Sequence, residues 1–436
     1  MITVKGISNQ DFNGKKCLLR LDLNIPISEN GQILDDTRIR ESKPSIDYLL
    51  EQNTKVIIVS HMGRPKGKYS SELSFENLLS DFEKILKRKI VLVPFSDQED
   101  ALKIINSLDF GTLFLLDNIR FNKGEESSDS EFIKFLSSLA DVFINDGFGT
   151  IHRNHSSITG IANLLPSFGG ILLEKEIEKI SQCIQEKAQN STAILGGAKI
   201  QDKIPIIENL SKTFNKIIIT GGMIRPFLMA SEKIPNSKKI NNDEINIAKK
   251  ILIENEKIFV PDQLICSESI DGEPVLLNAS QIKESDNIFD IGPNSMASIT
   301  NMILSSDKII WNGPPGVYEK SNFQNGTKKI IDSIVESNAS YKVAGGGSTV
   351  AAINFFSATE FFTHISTGGG AFLSLLEGKF LQGIEVLKSA PSPDEDPENQ
   401  SYHVHVRGYV KYILGFRNVA QTDQIDRFSM LFLEAG

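Results

Sequence analysis

Short apolar runs rich in β-branched residues recur along the whole chain: KVIIV at 55–59, IVLV at 90–93, TLFLL at 112–116, DVFIN at 141–145 and TAIL at 192–195. They continue with KIIIT at 216–220, IFV at 258–260, KIIW at 308–311, YKVA at 341–344 and FTHI at 362–365. Between them the apolar positions take helical spacing, as at Ile46, Leu49 and Leu50 or at Phe132, Phe135 and Leu136. A strand without polar alternation is apolar on both faces and needs cover on both. Such strands alternating with helices predict an α/β fold built on parallel sheets. Ten runs exceed a usual single open sheet, so the pattern predicts two α/β domains.

The seam between them is EKEIEKISQCIQEKAQ at 174–189, where Ile177, Ile180 and Ile184 punctuate a charged stretch lying between the two sets of strands. Two readings suit it: a long helix joining the domains, or an ordinary surface helix of one of them. The organisation expected is a first domain over 1–168, a joining helix over 169–189, a second domain over 190–370 and a return segment over 371–387. From 388 to 436 an acidic, proline-rich linker, KSAPSPDEDPENQ, leads into an extra tail. There Tyr402, Val404 and Val406 alternate like a strand, which puts His403 and His405 on one face, either as metal ligands or as part of a wet surface.

Composition narrows the function. A formal net charge of −9 over 436 residues argues against nucleic-acid binding by general electrostatics. Only 11 of the 46 basic residues are arginine, so where the arginines fall is informative. Cys17, Cys183 and Cys266 are far apart and form no C-x-x-C, which suits three buried thiols in a reducing compartment. The start of the sequence lacks a charged-then-apolar signal pattern, and no run approaches the ~18 apolar residues of a membrane span. A soluble, cytoplasmic protein without membrane contact is the expectation.

In open α/β sheets ligands bind beyond the carboxyl ends of the strands. In the first half those ends are basic. KVIIV runs into SHMGRPKG with His61 and Arg64, TLFLL into DNIRF with Arg120, and DVFIN into DGFGTIHR with His152 and Arg153. The early segment LLRLDLNIP adds Arg20, Asp22 and Asn24, and DDTRI adds Arg38. Five of the 11 arginines thus share a few loops. Guanidinium forks suit bidentate phosphate and carboxylate contacts, which predicts a small, highly anionic ligand.

In the second half the strand ends carry glycine: GGAKIQDK from Gly196, GGM from Gly221, NGPPGVYE after Trp311, GGGST from Gly345 and STGGGA at 366–371. Glycine turns that open helices let bare backbone N–H groups approach a phosphate, although one such loop alone serves equally well as a plain strand-to-helix turn. Lys199 and Lys203, at i, i+4, are expected on one helix face within reach of phosphate oxygens. A nucleotide is the ligand these loops predict. No G-x-x-x-x-G-K-[ST], early G-x-G-x-x-G or protein-kinase set occurs.

An anion domain facing a nucleotide domain predicts phosphoryl transfer with closure of the cleft, a reaction that depends on positioning and charge neutralisation. His61 and His152 sit among arginines, which disfavours either as a general base. An acceptor that is already ionised, such as a carboxylate, needs none, so the residues point to a kinase that forms or uses an acyl phosphate.

RLDLNIP, DDTRI, SHMGRPKG, NIRF, INDGFGTIHR, ILGGAKIQDKI, WNGPPGVYE and HISTGGGAFLSLLEGK follow one another in the order of the phosphoglycerate kinase family, which the chain resembles over roughly residues 1–387. The resemblance implies two Rossmann-like domains joined by a helix, a hinge-bending monomer, and reversible transfer between 1,3-bisphosphoglycerate with ADP and 3-phosphoglycerate with ATP, with magnesium. It implies that Asp22, Asn24, Arg38, His61, Gly63, Arg64, Arg120 and Arg153 bind 3-phosphoglycerate. Arg38 also meets the transferring phosphoryl, away from every glycine loop, and Lys199 stabilises that group with backbone N–H groups near Gly346 and Gly369. Gly197, Lys199, Lys203, Gly221, Asn312, Glu319, Gly346, Gly347, Ser348 and Thr349 hold the nucleotide on the same resemblance.

The chain departs from the family pattern at three places, five residues in all. Ser348 stands where the family has the aspartate that contacts the nucleotide-bound magnesium, so Ser348 is the candidate metal contact. Ile224, Arg225 and Pro226 replace small or polar residues, and Ile288 replaces a glycine set against the adenine. The expected function is an active phosphoglycerate kinase with a retuned metal and base site. The alternatives are a catalytically impaired binding protein with an altered nucleotide and magnesium site, and a different acyl-phosphate kinase on the same scaffold.

Overall fold

A computed structural model describes residues 4–94, 98–235 and 240–388; the linker and tail beyond 388, with His403 and His405, lie outside the described residues. In the first half, β1 (Lys16–Arg20), β2 (Lys55–Val59), β3 (Val91–Val93), β4 (Leu113–Leu116), β5 (Val142–Asn145) and β6 (Ser167–Gly169) form a six-stranded parallel sheet in the order β3-β4-β2-β1-β5-β6. The second half supplies β7 (Ser191–Gly196), β8 (Lys216–Thr220), β9 (Ile258–Phe259), β10 (Gln263–Ser267), β11 (Val275–Asn278), β12 (Asn287–Ile291), β13 (Lys308–Asn312), β14 (Tyr341–Gly345) and β15 (His364–Ser366). Six of these make a second parallel sheet, β15-β14-β13-β7-β8-β9, while β11-β10-β12 pair antiparallel in a small sheet.

The missing polar alternation has its expected consequence. On the first sheet Leu18, Ile57, Phe114 and Phe143 join one apolar cluster, and their chain neighbours Leu19, Ile58, Leu115 and Ile144 join another. Ala193, Ile217 and Ile310 of the second sheet belong to the first of these clusters, whereas Ile194, Ile218 and Trp311 pack into a third. Both sheets are therefore covered on both faces.

All ten apolar runs contribute to strands, but β1, β6 and the antiparallel sheet were not foreseen. β1 begins and ends with a cation, β6 is only SFG, and β11 is largely exposed, so none presents an uninterrupted apolar run. Cys17, Cys183 and Cys266 are free and buried, as expected.

The stretch read as helical at the seam is the helix Ile171–Gln185. Its first turn is held from the first sheet, where Asp146 Oδ1 accepts the Leu173 N–H at 2.9 Å. Its carboxyl end is held from the second, where Lys308 Nζ donates to the carbonyls of Ile184 at 3.3 Å and Glu186 at 2.7 Å. Glu186 leaves the helical region at ψ 132, so the helix stops short of 189. After the second sheet the chain returns to the first: Gly383 N–H donates to Ile151 O at 3.0 Å, and Ile384 and Leu387 pack in the Ile151 cluster.

Asp290, on β12, is buried beneath the loop that follows β13. Its Oδ2 accepts the Gly326 N–H at 2.7 Å, and its buried Oδ1 has no partner among the described residues. Burial pushes this carboxyl up to about 7. The unfolded chain releases the same proton near pH ~4, so over the interval between, native Asp290 keeps a proton that the unfolded chain has lost. The contribution of Asp290 therefore falls as pH rises through that window. Asp290→Asn should gain in melting temperature relative to the parent as pH is raised from about 5 to about 8. A difference in melting temperature that does not change with pH would exclude Asp290 as the titrating group.

Candidate phosphoryl-transfer site

The basic loops of the first half do gather at the carboxyl ends of β1, β2, β4 and β5. Arg38, in the first turn of the helix Thr37–Leu50, donates through Nη1 to Asn24 O at 2.7 Å and pairs with Asp22 Oδ2 at 3.0 Å. Asn24 Oδ1 accepts the Gly63 N–H at 2.9 Å, and Gly63 O accepts Arg120 Nη1 at 2.8 Å. Arg64 is exposed on the same turn, and Arg153 is half-buried after β5.

His61 is buried among these cations. Burial, followed by the positive fields of Arg20, Arg120, Arg153 and Arg38, holds its imidazole far below the usual histidine range, so the ring is neutral. Burial and Arg153 also lower His152. Neither ring is a base of ordinary strength, in agreement with the sequence reading.

In the second half, Gly346 takes φ 97 and opens the helix Gly347–Phe355. A Cβ there would collide with Asn312 Nδ2, which donates to Gly345 O at 2.6 Å, while Asn312 Oδ1 accepts from Lys203 Nζ. Burial lowers Lys203 below the usual lysine range. Thr349 Oγ1 accepts the Gly313 N–H at 2.7 Å. Ser348, Lys199 and Glu319 are exposed, and Gly197 lies beside Gly221, whose ideal Cβ would come 3.3 Å from Gly197 N.

The two sets of loops meet. Arg38 Nη2 donates to Thr367 O at 3.1 Å, and ideal Cβ atoms on Gly368 and Gly370 would lie 3.1 Å from Gly149 Cα and from His152 Cε1 respectively. One built on Gly369 would lie 4.0 Å from Gly346 Cα, so the amino ends of two helices converge near Arg38. Glu176, buried on the helix Ile171–Gln185, supports this junction. Its Oε1 accepts the Thr367 N–H and hydroxyl, each at 2.8 Å, and its Oε2 lies 2.6 Å from His364 Nε2.

The sequence profile of a known family, phosphoglycerate kinase, matches residues 7–379. A curated phosphoglycerate kinase of Dictyoglomus turgidum is 38% identical over 392 residues, which is 88% of this chain and 98% of that one. One of Borrelia hermsii is 37% identical over 393 residues, 89% of this chain and 100% of its own. The solved phosphoglycerate kinase of Coxiella burnetii superposes with a TM-score of 0.80 at 32% identity, covering 89% of this chain and 99% of the other. The chain belongs to the phosphoglycerate kinase family.

Against the family assignment, two sequence expectations need correction. Lys199 and Lys203 do not share a helix face: Lys199 is exposed in the loop after β7, and Lys203 is buried at the end of the tight turn Gln201–Lys203. The glycines that free this loop also delay the helix, which starts at Ile204. Arg38 is not remote from the glycine loops, because Thr367 precedes Gly368 directly. Of the residues that depart from the family pattern, Arg225 donates to Asp286 O, and Ile288 pairs with Cys266 on β10.

Sequence reasoning also missed the groups that hold the arginines. Asn118 Nδ2 donates to Met62 O at 2.7 Å and its Oδ1 accepts the Arg120 N–H at 3.1 Å, joining two loops of the phosphoglycerate kinase fold. Glu125 is completely buried beneath Arg20. Its only signal was its place in GEES, five residues after Arg120, a pattern that reads as surface.

Gly313 tests the glycine cradle. It has φ 98, and a Cβ would strike Gly196 O. Gly313→Ala should cost about 1–3 kcal/mol in urea unfolding; parental stability would mean that the approach of β7 and β13 is not tight there.

Proposed function

We propose that the chain catalyses phosphoryl transfer between the acyl phosphate of 1,3-bisphosphoglycerate and ADP, and the reverse from ATP to the 3-phosphoglycerate carboxylate, at the junction of the two loop sets. The observation that carries this reading is Arg38, braced by Asp22 and Asn24 on one side and touching Thr367 O beside the convergent helix starts at Gly346 and Gly369 on the other.

In this reading His61, Gly63, Arg64, Arg120 and Arg153, with Asp22 and Asn24, hold phosphoglycerate. The carboxylate acceptor arrives ionised, so the neutral His61 is an uncharged partner rather than a base. Arg38 and the exposed Lys199 neutralise the phosphoryl in transit, and backbone N–H groups at Gly346 and Gly369 receive its oxygens. Gly197, Gly221, Asn312, Glu319, Gly347 and Thr349 line the nucleotide. Lys203 acts by fixing Asn312.

Among the described residues no three His, Cys, Asp or Glu side chains group to hold a metal. The donors present suit an ion that arrives on the nucleotide. Magnesium keeps phosphate and water oxygens readily, and Ser348, exposed in the first turn of its helix, offers one neutral oxygen. When bound, the ion screens phosphate charge; the chain's contribution is the cradle and Ser348.

ATP formation from 1,3-bisphosphoglycerate and ADP, measured with magnesium titrated, tests the activity directly. Arg38→Ala should lower the turnover rate about 100- to 1,000-fold with nucleotide affinity unchanged. Turnover that survives the substitution would remove Arg38 from the site. Ser348→Asp should reduce the magnesium concentration needed for half-maximal rate by about 10- to 100-fold, leaving 3-phosphoglycerate affinity as it is. An unchanged magnesium curve would show that Ser348 does not face the ion.

A further inference from the structure

Arg20 ends β1 and is 1% exposed, so its guanidinium has no access to water for its charge or its five donors. Nη1 donates to the carbonyls of Leu21 and, at 3.4 Å, Val59. Nε donates to Ser157 Oγ at 2.9 Å, and Nη2 lies 3.5 Å from His61 Nδ1. A buried cation needs a buried anion. Glu125, 0% exposed in the short helix Gly124–Ser127, supplies it: Oε1 accepts the Ser157 hydroxyl at 2.7 Å and Oε2 accepts the Ser157 N–H at 3.0 Å. His155 Nδ1 stands 3.6 Å from Oε1.

The chemistry of this chain is directional. A serine has one hydroxyl proton; with that proton given to Glu125, the oxygen can only accept, and it accepts from Arg20. A guanidinium can only donate, and it stands nearer to His61 Nδ1, at 3.5 Å, than Asp22 Oδ1 does, at 3.9 Å, so Nδ1 is the bare nitrogen and the ring proton sits on Nε2. Glu125 touches none of the residues assigned to phosphoglycerate, yet it sets the direction of every bond leading to one of them.

We propose that Glu125, through Ser157 and Arg20, is a positioning residue that fixes His61 in its Nε2-protonated tautomer and so presents a neutral N–H donor to bound phosphoglycerate. The second half of this statement rests on the function proposed above; the tautomer does not.

Ser157→Ala removes the bridge and leaves both charges in place, and Glu125→Gln removes the charge. Each is compared with the parent by calorimetric titration with 3-phosphoglycerate, by KM for the nucleotide, by melting temperature, and by the ¹⁵N signals of the His61 ring. Both variants should weaken 3-phosphoglycerate about 10- to 100-fold, leave the nucleotide KM at its parental value, and turn the single His61 tautomer into a mixture. Should Glu125→Gln fail to fold, Ser157→Ala decides. A folded Ser157→Ala with parental 3-phosphoglycerate affinity and an unaltered His61 spectrum overturns the proposal. A parent protein that does not bind 3-phosphoglycerate overturns the functional reading instead, and the His61 spectrum then still judges the tautomer.

Discussion

Mutual repulsion among guanidiniums is the constraint around which the first half of the molecule is arranged. Burial keeps His61 neutral first of all, and Arg20, Arg120, Arg153 and Arg38 press in the same direction, so the ring lies in a positive field. Such a field attracts an anionic ligand but works against folding, so each cation needs a fixed partner that leaves part of it available. Asp22 takes one edge of Arg38, Glu126 takes Nε of Arg120 at 3.1 Å, and carbonyls take further donors. Arg20, which no solvent reaches, is balanced from below by Glu125.

The second half answers a different demand. In the function proposed above, bare backbone there comes close to a bulky polyanion, and side chains are accordingly few at the strand ends. Gly196 and Gly313 let two loops touch, Gly346 turns the chain through a conformation closed to other residues, and Asn312 and Thr349 then tie the glycine segments to β13. Within this half the two lysines differ in exposure: Lys203 is tied to Asn312, while Lys199 stays exposed.

Much of this was legible from the sequence because both signals were local. A run such as KVIIV reads as a doubly covered strand wherever it occurs, and arginines that are scarce elsewhere mark the loops in which they collect. What escaped depended on tertiary placement. VLLN at β11 is the exposed edge of the small three-stranded sheet and has no core periodicity. Glu125 carries the composition of a surface helix, and only the fold places it under Arg20. The contact from Arg38 to Thr367 joins residues 329 positions apart, which no local pattern reports. Lys199 and Lys203 show the opposite failure: the spacing was right for a helix, but the glycines before it kept the chain in a loop.

The cluster containing Leu18 and Phe143 from one sheet also contains Ala193, Ile217 and Ile310 from the other, with Leu173, Ile177 and Ile180 of the helix between them. On one face of each sheet, then, the halves share an interior, while the opposite faces keep clusters of their own. Melting either one strips apolar cover from the helix that both share and exposes surface belonging to the other. Each sheet is thus a stabilising ligand for its neighbour, and the free energy that resists unfolding is coupled through the helix they share.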